Sequence, residues 1–67
     1  MHNDTIKKVL NRLFPSNDYE LTEERIISLV GKNWFDNCLD NDFIYLYKQD
    51  MWKMYRITSK GIQVRDM

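Results

Sequence analysis

The chain has 67 residues, of which 43% are apolar and 30% charged, with ten basic side chains against ten acidic ones and a single cysteine. This length predicts one domain over residues 1–67, because independent domains rarely fall below about 50 residues. The apolar fraction is too high for a disordered chain, and no apolar run reaches the ~18 residues that span a bilayer. A lone cysteine and a polar, acidic start indicate a protein of a reducing compartment, the cytoplasm, without a signal peptide.

The first predicted element is an amphipathic helix that ends before Pro15, since the residue preceding a proline avoids the helical conformation. Asn3 or Asp4 is the expected N-cap. The apolar positions follow the spacing i, i+3, i+4, i+7 and i+8, which places them on one helical face. These positions are Ile6, Val9, Leu10, Leu13 and Phe14.

A second helix is predicted after a polar loop over residues 15–20. Thr22 is its expected N-cap, and Leu21 and Ile26 have the spacing of a hydrophobic staple. Gly31 is expected to end the helix in a conformation with positive φ.

A third, shorter helix is predicted from Asn33 to about Asp40. Asn33 is its expected N-cap, with Asp36 reaching back to it, and Asn41 and Asp42 are expected to end it. Three side chains of this helix are expected to point inward: Phe35, Cys38 and Leu39.

The last third of the chain is rich in aromatic and β-branched residues. Residues 43–47 and 52–57 are predicted strands around a polar turn at 48–51, which together form a hairpin. Residues 58–61 either close this hairpin or cap a last helical turn that carries Ile62.

Two registers of the hairpin are open. A four-residue turn pairs Tyr47 with Trp52, Tyr45 with Met54 and Ile44 with Tyr55, which places Leu46 and Ile57 on the helix-facing side. A shift by one residue exchanges the faces of one strand relative to the other. In the first register four large side chains share the outer side: Tyr45, Tyr47, Trp52 and Met54.

Both registers leave more large apolar residues than one face of a small domain can bury. A contiguous apolar patch with aromatic and methionine side chains is typical of a protein interface, either with another protein or within a homodimer. Two alternatives stay open. Either the N-terminal helix or the C-terminal tail covers this face, or its aromatic rings stack on single-stranded nucleic acid.

Two segments give the chain a resemblance to the winged-helix family. Residues 39–44, Leu-Asp-Asn-Asp-Phe-Ile, are similar to the end of that family's third helix, and residues 55–61, Tyr-Arg-Ile-Thr-Ser-Lys-Gly, are similar to the segment that closes its wing. The similarity covers about residues 5–62. It implies a small α+β domain with three helices followed by a two-stranded hairpin, the wing.

The resemblance also implies a DNA-binding transcriptional regulator that acts as a dimer. In this family the third helix enters the major groove and the wing touches the backbone. Carried over to this chain, the residues that face the bases are Lys32, Asn33, Trp34 and Asn37, and those that contact phosphates are Lys48, Lys53, Arg56 and Lys60.

The charge distribution supports duplex DNA as a partner only in part. Residues 48–67 carry five basic and two acidic side chains, whereas residues 21–47 carry two basic and five acidic ones. Because DNA binding depends on neutralising phosphates, the acidic third helix disfavours it, and the basic region fits a solvated face equally well. The alternative function is a protein-interaction module, either a homodimer or an inhibitor or adaptor that binds a partner, which uses the aromatic hairpin.

The sequence gives no pattern typical of catalysis or of a cofactor. His2 is the only histidine, and Cys38 is expected to be a small core residue. Gly31 and Gly61 are isolated, so a phosphate-binding glycine loop is not predicted. We therefore expect neither an enzyme nor a metal, a cofactor, a small-molecule substrate or a membrane partner.

Overall fold

A computed structural model of the protein describes residues 3–67, with side chains from Thr5 onward. In this part of the chain the predicted α+β class is confirmed, but the predicted count of three helices and two strands is wrong. Four helices and a three-stranded antiparallel sheet are present: α1 Asn3–Leu13, β1 Leu21–Thr22, α2 Glu23–Val30, α3 Lys32–Asp40, β2 Ile44–Gln49, β3 Lys53–Ile57 and α4 Ser59–Arg65.

The apolar face of α1 is the centre of the core. Leu10, Leu13 and Phe14 are completely buried, which confirms the predicted helical periodicity. Both expected N-caps, Asn3 and Asp4, lie within the helix, and their side chains are outside the described part of the structure.

Helix α2 begins and ends as the sequence predicts. The Thr22 hydroxyl accepts a hydrogen bond from the Arg25 backbone N–H at 3.1 Å, which satisfies one of the free donors of the first turn. At the other end Gly31 has a φ of +94°, and its N–H donates to the Ile27 carbonyl at 2.8 Å. A side chain at this φ is strained, which accounts for the glycine.

Helix α3 starts one residue earlier than predicted, at Lys32. Gly31 is therefore its N-cap as well as the C-cap of α2, and a single residue joins the two helices. The prediction that Asn33 caps the helix is wrong, because Asn33 lies inside the first turn. Asp36 pairs with the Lys32 ammonium at 3.2 Å instead of reaching back to Asn33.

The inner face of α3 is narrower than predicted. Phe35 and Cys38 are buried, but the inward position expected for Leu39 is wrong, since this side chain is 36% exposed. Asn41 ends the helix as expected, and Asp42 follows with a φ of +62°.

Residues 58–61 cap a helix, which is one of the two alternatives left open by the sequence. The Thr58 hydroxyl accepts from the Gly61 N–H at 2.9 Å, and α4 runs for seven residues. Gly61 is packed against the Phe43 carbonyl, where a Cβ atom would collide with backbone.

A buried arginine fastens α4 to the end of α1. Arg65 is only 8% exposed, and its guanidinium donates to the Phe14 carbonyl at 3.0 Å and to Asn17 Oδ1 at 2.6 Å. The Phe14 carbonyl, which has no helical donor because α1 ends at Leu13, thus receives one from a residue 51 positions later.

The sheet has the order β1-β3-β2, so β3 is its central strand. The short strand β1 was not predicted. Leu21 pairs with Tyr55 and Thr22 with Met54, which joins the start of α2 to the hairpin.

The hairpin register differs from both predicted ones. The first is wrong by two residues, because the turn consists of Asp50–Trp52 rather than residues 48–51. Since side chains alternate with a period of two, a shift of two residues keeps the same side chains on each face. The regular pairs are Ile44–Ile57, Tyr45–Arg56 and Leu46–Tyr55.

No helix among residues 3–67 has the length and apolarity to cross a membrane, since the longest of them, α1, has 11 residues.

Candidate interaction surface

The hairpin is anchored to the core only at its base. Ile44, Tyr55 and Ile57 are at most 5% exposed, and the ring of Tyr55 meets Phe35 edge-on with 5.2 Å between centroids. Every residue of β2 after Ile44 is exposed. The hairpin therefore extends past the helices that cover its base.

This extension presents a group of large apolar side chains, which we call the hairpin patch. The exposed fractions of its members lie between 40% and 85%, and all of them fall within eight consecutive residues. The members are Tyr45, Leu46, Tyr47, Met51 and Trp52. Three further large apolar side chains are exposed in the described structure, and they are dispersed along the chain: Tyr19, Leu39 and Met67.

The outer face of the hairpin is ordered by stacking around Arg56. The guanidinium carbon lies 3.9 Å from the centroid of the Tyr47 ring, and this ring meets Tyr45 edge-on at 6.4 Å. Arg56 also donates to the Glu20 carboxylate at 2.8 Å, and this hydrogen bond raises the pKa of the guanidinium. The two tyrosines are thus exposed but held in fixed positions.

A β-bulge lies in the middle of the patch. The pairing passes from Leu46–Tyr55 to Lys48–Met54, which leaves Tyr47 as an extra residue on β2. A bulge bends its strand and redirects a side chain. Across this bulge the rings of Tyr45 and Tyr47 still lie close enough to meet edge-on.

A shallow groove of about 290 Å³ separates the hairpin tip from the start of α2. One wall is acidic and the other apolar, with one lysine at the margin. The residues that line the groove are Glu23, Glu24, Met51, Trp52 and Lys53.

Burial raises the pKa of the Tyr55 hydroxyl, and the charge and hydrogen bond of the neighbouring Glu23 raise it further.

Of the four interface residues predicted from the sequence, three are exposed in this patch. Tyr45, Tyr47 and Trp52 are 40–59% exposed, whereas Met54 is half-buried, and Trp52 lies in the turn rather than opposite Tyr47.

Leu46 and Met51 belong to the patch although the sequence did not indicate them. Leu46 points to the helix-facing side, as expected, but lies beyond the reach of the helices, and Met51 was assigned to a polar turn. Only the position of the hairpin relative to the helices exposes Leu46, and the sequence carries no signal for that position.

The residues of α3 predicted to face DNA do not form one exposed row. Lys32 and Asn33 are exposed, but Trp34 is half-buried and packs against the core. Asn37 is also half-buried, and its Oδ1 atom has no hydrogen-bond partner among the described residues. Lys32 is paired with Asp36, so the exposed face of the helix carries little free positive charge.

The predicted phosphate contacts are split between two elements. Lys48 and Lys53 are exposed on the hairpin, whereas Lys60 is exposed on α4, with its ammonium 5.4 Å from the Phe43 ring centroid. Arg56 is half-buried and paired with Glu20, so it is not free to meet a phosphate.

The described residues contain no cluster of His, Cys, Asp and Glu that could hold a metal ion. Cys38 is completely buried, and burial raises the pKa of its thiol to about 11, so it stays protonated and unreactive. His2 lies outside the described residues.

No protein-family model, curated protein or solved structure matches this chain. Its function is therefore inferred from its own residues.

Proposed function

We propose that the protein is a protein-interaction module that binds its partner through the hairpin patch. The observation that carries this proposal is the concentration of five of the eight exposed large apolar side chains on residues 45–52. Isolated exposed apolar residues are ordinary in proteins, whereas a concentration of them is typical of an interface, and here they lie on both faces and at the tip of one projecting hairpin.

The chemistry of the patch supports this function. Tyrosine, tryptophan and methionine are enriched at the centres of interfaces, where they bury much area at little entropic cost. The stacking of Arg56 on Tyr47 and the ion pair to Glu20 hold the outer rings in place before a partner arrives. A preordered surface loses less conformational entropy on binding.

The test is affinity capture from extracts of the cells that produce the protein, read by quantitative mass spectrometry together with the protein's own association state. The double variant Tyr47→Ser/Trp52→Ser removes two rings of the patch. Tyr19→Ser is the matched control, because Tyr19 is 45% exposed but lies outside the hairpin. Circular dichroism checks that all variants fold.

We expect association, with itself or with a specific protein, to fall at least tenfold in the double variant and to be unchanged in the control. Equal association of all three proteins contradicts the proposal.

The second candidate function is duplex DNA binding by a winged-helix domain. It is supported by the helix pair α2–α3 directly before the hairpin and by the exposed lysines Lys48, Lys53 and Lys60. Against it stand the Lys32–Asp36 pair and the exposed Asp40, which reduce the attraction of α3 for phosphates.

A salt titration of binding to random duplex DNA tests this candidate. Each lysine that meets a phosphate contributes about one to the slope of log K against log salt. Lys48→Gln/Lys53→Gln should lower the slope by about two, whereas Lys8→Gln/Arg25→Gln removes equal charge from α1 and α2 and should not. Absence of binding to DNA at low salt, or equal slopes in both variants, contradicts it.

A further inference from the structure

Strand β2 forms a free edge of the sheet. The order β1-β3-β2 leaves one side of β2 unpaired by any described strand, and β2 has six residues whereas the opposite edge strand β1 has two. An edge strand presents a row of backbone donors and acceptors that favours pairing with another strand.

The usual protection of such an edge is present only at the far end of β2. The bulge at Tyr47 and the charge of Lys48 both lie in its second half, whereas Ile44–Leu46 is regular, uncharged and free of proline. Bulges, charges and prolines are the features that block edge pairing, so the first half of β2 remains open to it.

We infer that β2 pairs antiparallel with β2 of a second copy of this chain, which gives a two-fold symmetric dimer with a continuous six-stranded sheet. This inference rests on the proposed function and specifies its partner and its mode of pairing.

The alternation of side chains restricts the register of this pairing. Opposed residues must lie on the same face of the joined sheet, which excludes every register shifted by an odd number of residues. Among the registers that remain, the one centred on Tyr45 places Tyr45 opposite Tyr45 of the second copy and Leu46 opposite Ile44 of the second copy. Leu46 is 42% exposed on the helix-facing side, so the described part of its own chain covers it only in part. In the dimer it lies next to the buried base of the other hairpin.

Two properties of the chain favour a second copy as the occupant. The chain has no net charge, so two copies do not repel each other. In the register centred on Tyr45, the strand direction brings Lys48 toward the exposed Asp42 of the second copy, and the symmetry makes this pairing twice.

The interface is small. At roughly 150–250 Å² for a large side chain, the exposed parts of the three exposed apolar side chains of β2, Tyr45, Leu46 and Tyr47, supply on the order of 250 Å² per copy, below the ~800 Å² of a standard interface. We therefore expect a dimer that dissociates in the micromolar range.

The experiment combines cross-linking with mass measurement in solution. Cys38 is buried, so a Tyr45→Cys variant carries one accessible thiol, and opposed strand positions are close enough for a disulfide. Tyr19→Cys is the control, because the exposed fractions of Tyr19 and Tyr45 are similar, 45% and 40%. Light scattering of the unmodified chain from about 1 µM to 1 mM brackets the expected affinity.

We expect a concentration-dependent dimer that Leu46→Lys dissociates at least tenfold more readily and Tyr19→Lys does not. Under mild oxidation, Tyr45→Cys should form a covalent dimer at least tenfold faster than Tyr19→Cys.

A chain that stays monomeric up to the highest concentration overturns the inference, while the capture experiment still decides the proposed function. A dimer that survives Leu46→Lys but not Trp52→Ser also overturns it, because association then uses the patch without the strand edge.

Discussion

In α1 each large apolar side chain is at most 9% exposed, whereas in β2 only Ile44 is buried and three large apolar side chains that follow it are at least 40% exposed. The exposed element is the more apolar of the two, with four large apolar residues among six, against four among eleven in α1. The difference is the element each packs against, since α1 is enclosed by α2 and α4 and most of β2 projects past the helices. Apolar content along a sequence therefore does not by itself distinguish the residues that stabilise this fold from those that bind.

The sharpest test of this contrast is the same substitution in the two regions. Leu10→Ala empties a completely buried position and should lower the free energy of unfolding by about 2–5 kcal/mol. Since a chain of this length has roughly 3–10 kcal/mol in total, this variant should be largely unfolded or close to it. Leu46→Ala should change the free energy by no more than about 0.5 kcal/mol.

Urea denaturation followed by circular dichroism measures both values, at low protein concentration so that association does not contribute. A comparable loss in the two variants would show that Leu46 belongs to the core.

The second test uses the buried thiol as a reporter of the core. The pKa of Cys38 is raised by burial from 9.0 to about 11, so the unfolded chain loses this proton at lower pH than the folded one. The stabilisation is therefore complete below pH 9 and is lost as the pH rises toward about 11, and two pKa units correspond to about 2–3 kcal/mol.

Unfolding experiments between pH 8 and 11 on the native chain and on Cys38→Ala isolate this effect, because all other groups titrate in both proteins. The native chain should lose stability more steeply than the variant. Identical slopes would mean that the thiol is reached by solvent.

The smallest expected effect concerns the ordering of the patch. Glu20→Gln removes the charge that holds Arg56, and because both side chains are more than a quarter exposed the loss should be below about 1 kcal/mol. The consequence for binding should be larger than that for folding, since the Tyr47 ring loses a fixed neighbour.

Light scattering measures the effect of this substitution on association, and the midpoint of urea denaturation measures its effect on folding. Asp18→Asn removes an exposed charge that has no ion pair in the described structure and lies outside the hairpin and its groove, so it is the control. A variant that loses stability but keeps its association would contradict the ordering role of Arg56.

The local features of the fold could be predicted from the sequence. The helical period of α1, the cap at Thr22 and the terminator Gly31 each depend on residues within a few positions. Strand β1 could not be found, because its two residues pair with residues more than thirty positions away. The turn of the hairpin was placed too early, since the polar residues Lys48 and Gln49 belong to β2 rather than to the turn.

The candidate site was predicted in composition but not in geometry. Aromatic residues at 45, 47 and 52 were visible, whereas the exposure of Leu46 depends on how far the helices reach over the hairpin. The ion pair between Arg56 and Glu20 connects residues 36 positions apart. Neither residue alone indicates that the Arg56 guanidinium is already paired within the chain.

Gly31, the single residue that joins α2 to α3, makes this helix pair intolerant of changes in length. An inserted or deleted residue there would rotate α3 by roughly 100° about its axis, and Phe35 and Cys38 would leave the core. The turn at residues 50–52 carries no such restriction, since it lies beyond the region that the helices cover. In an alignment of related chains, gaps should therefore fall at the hairpin tip and be missing from residues 23–40.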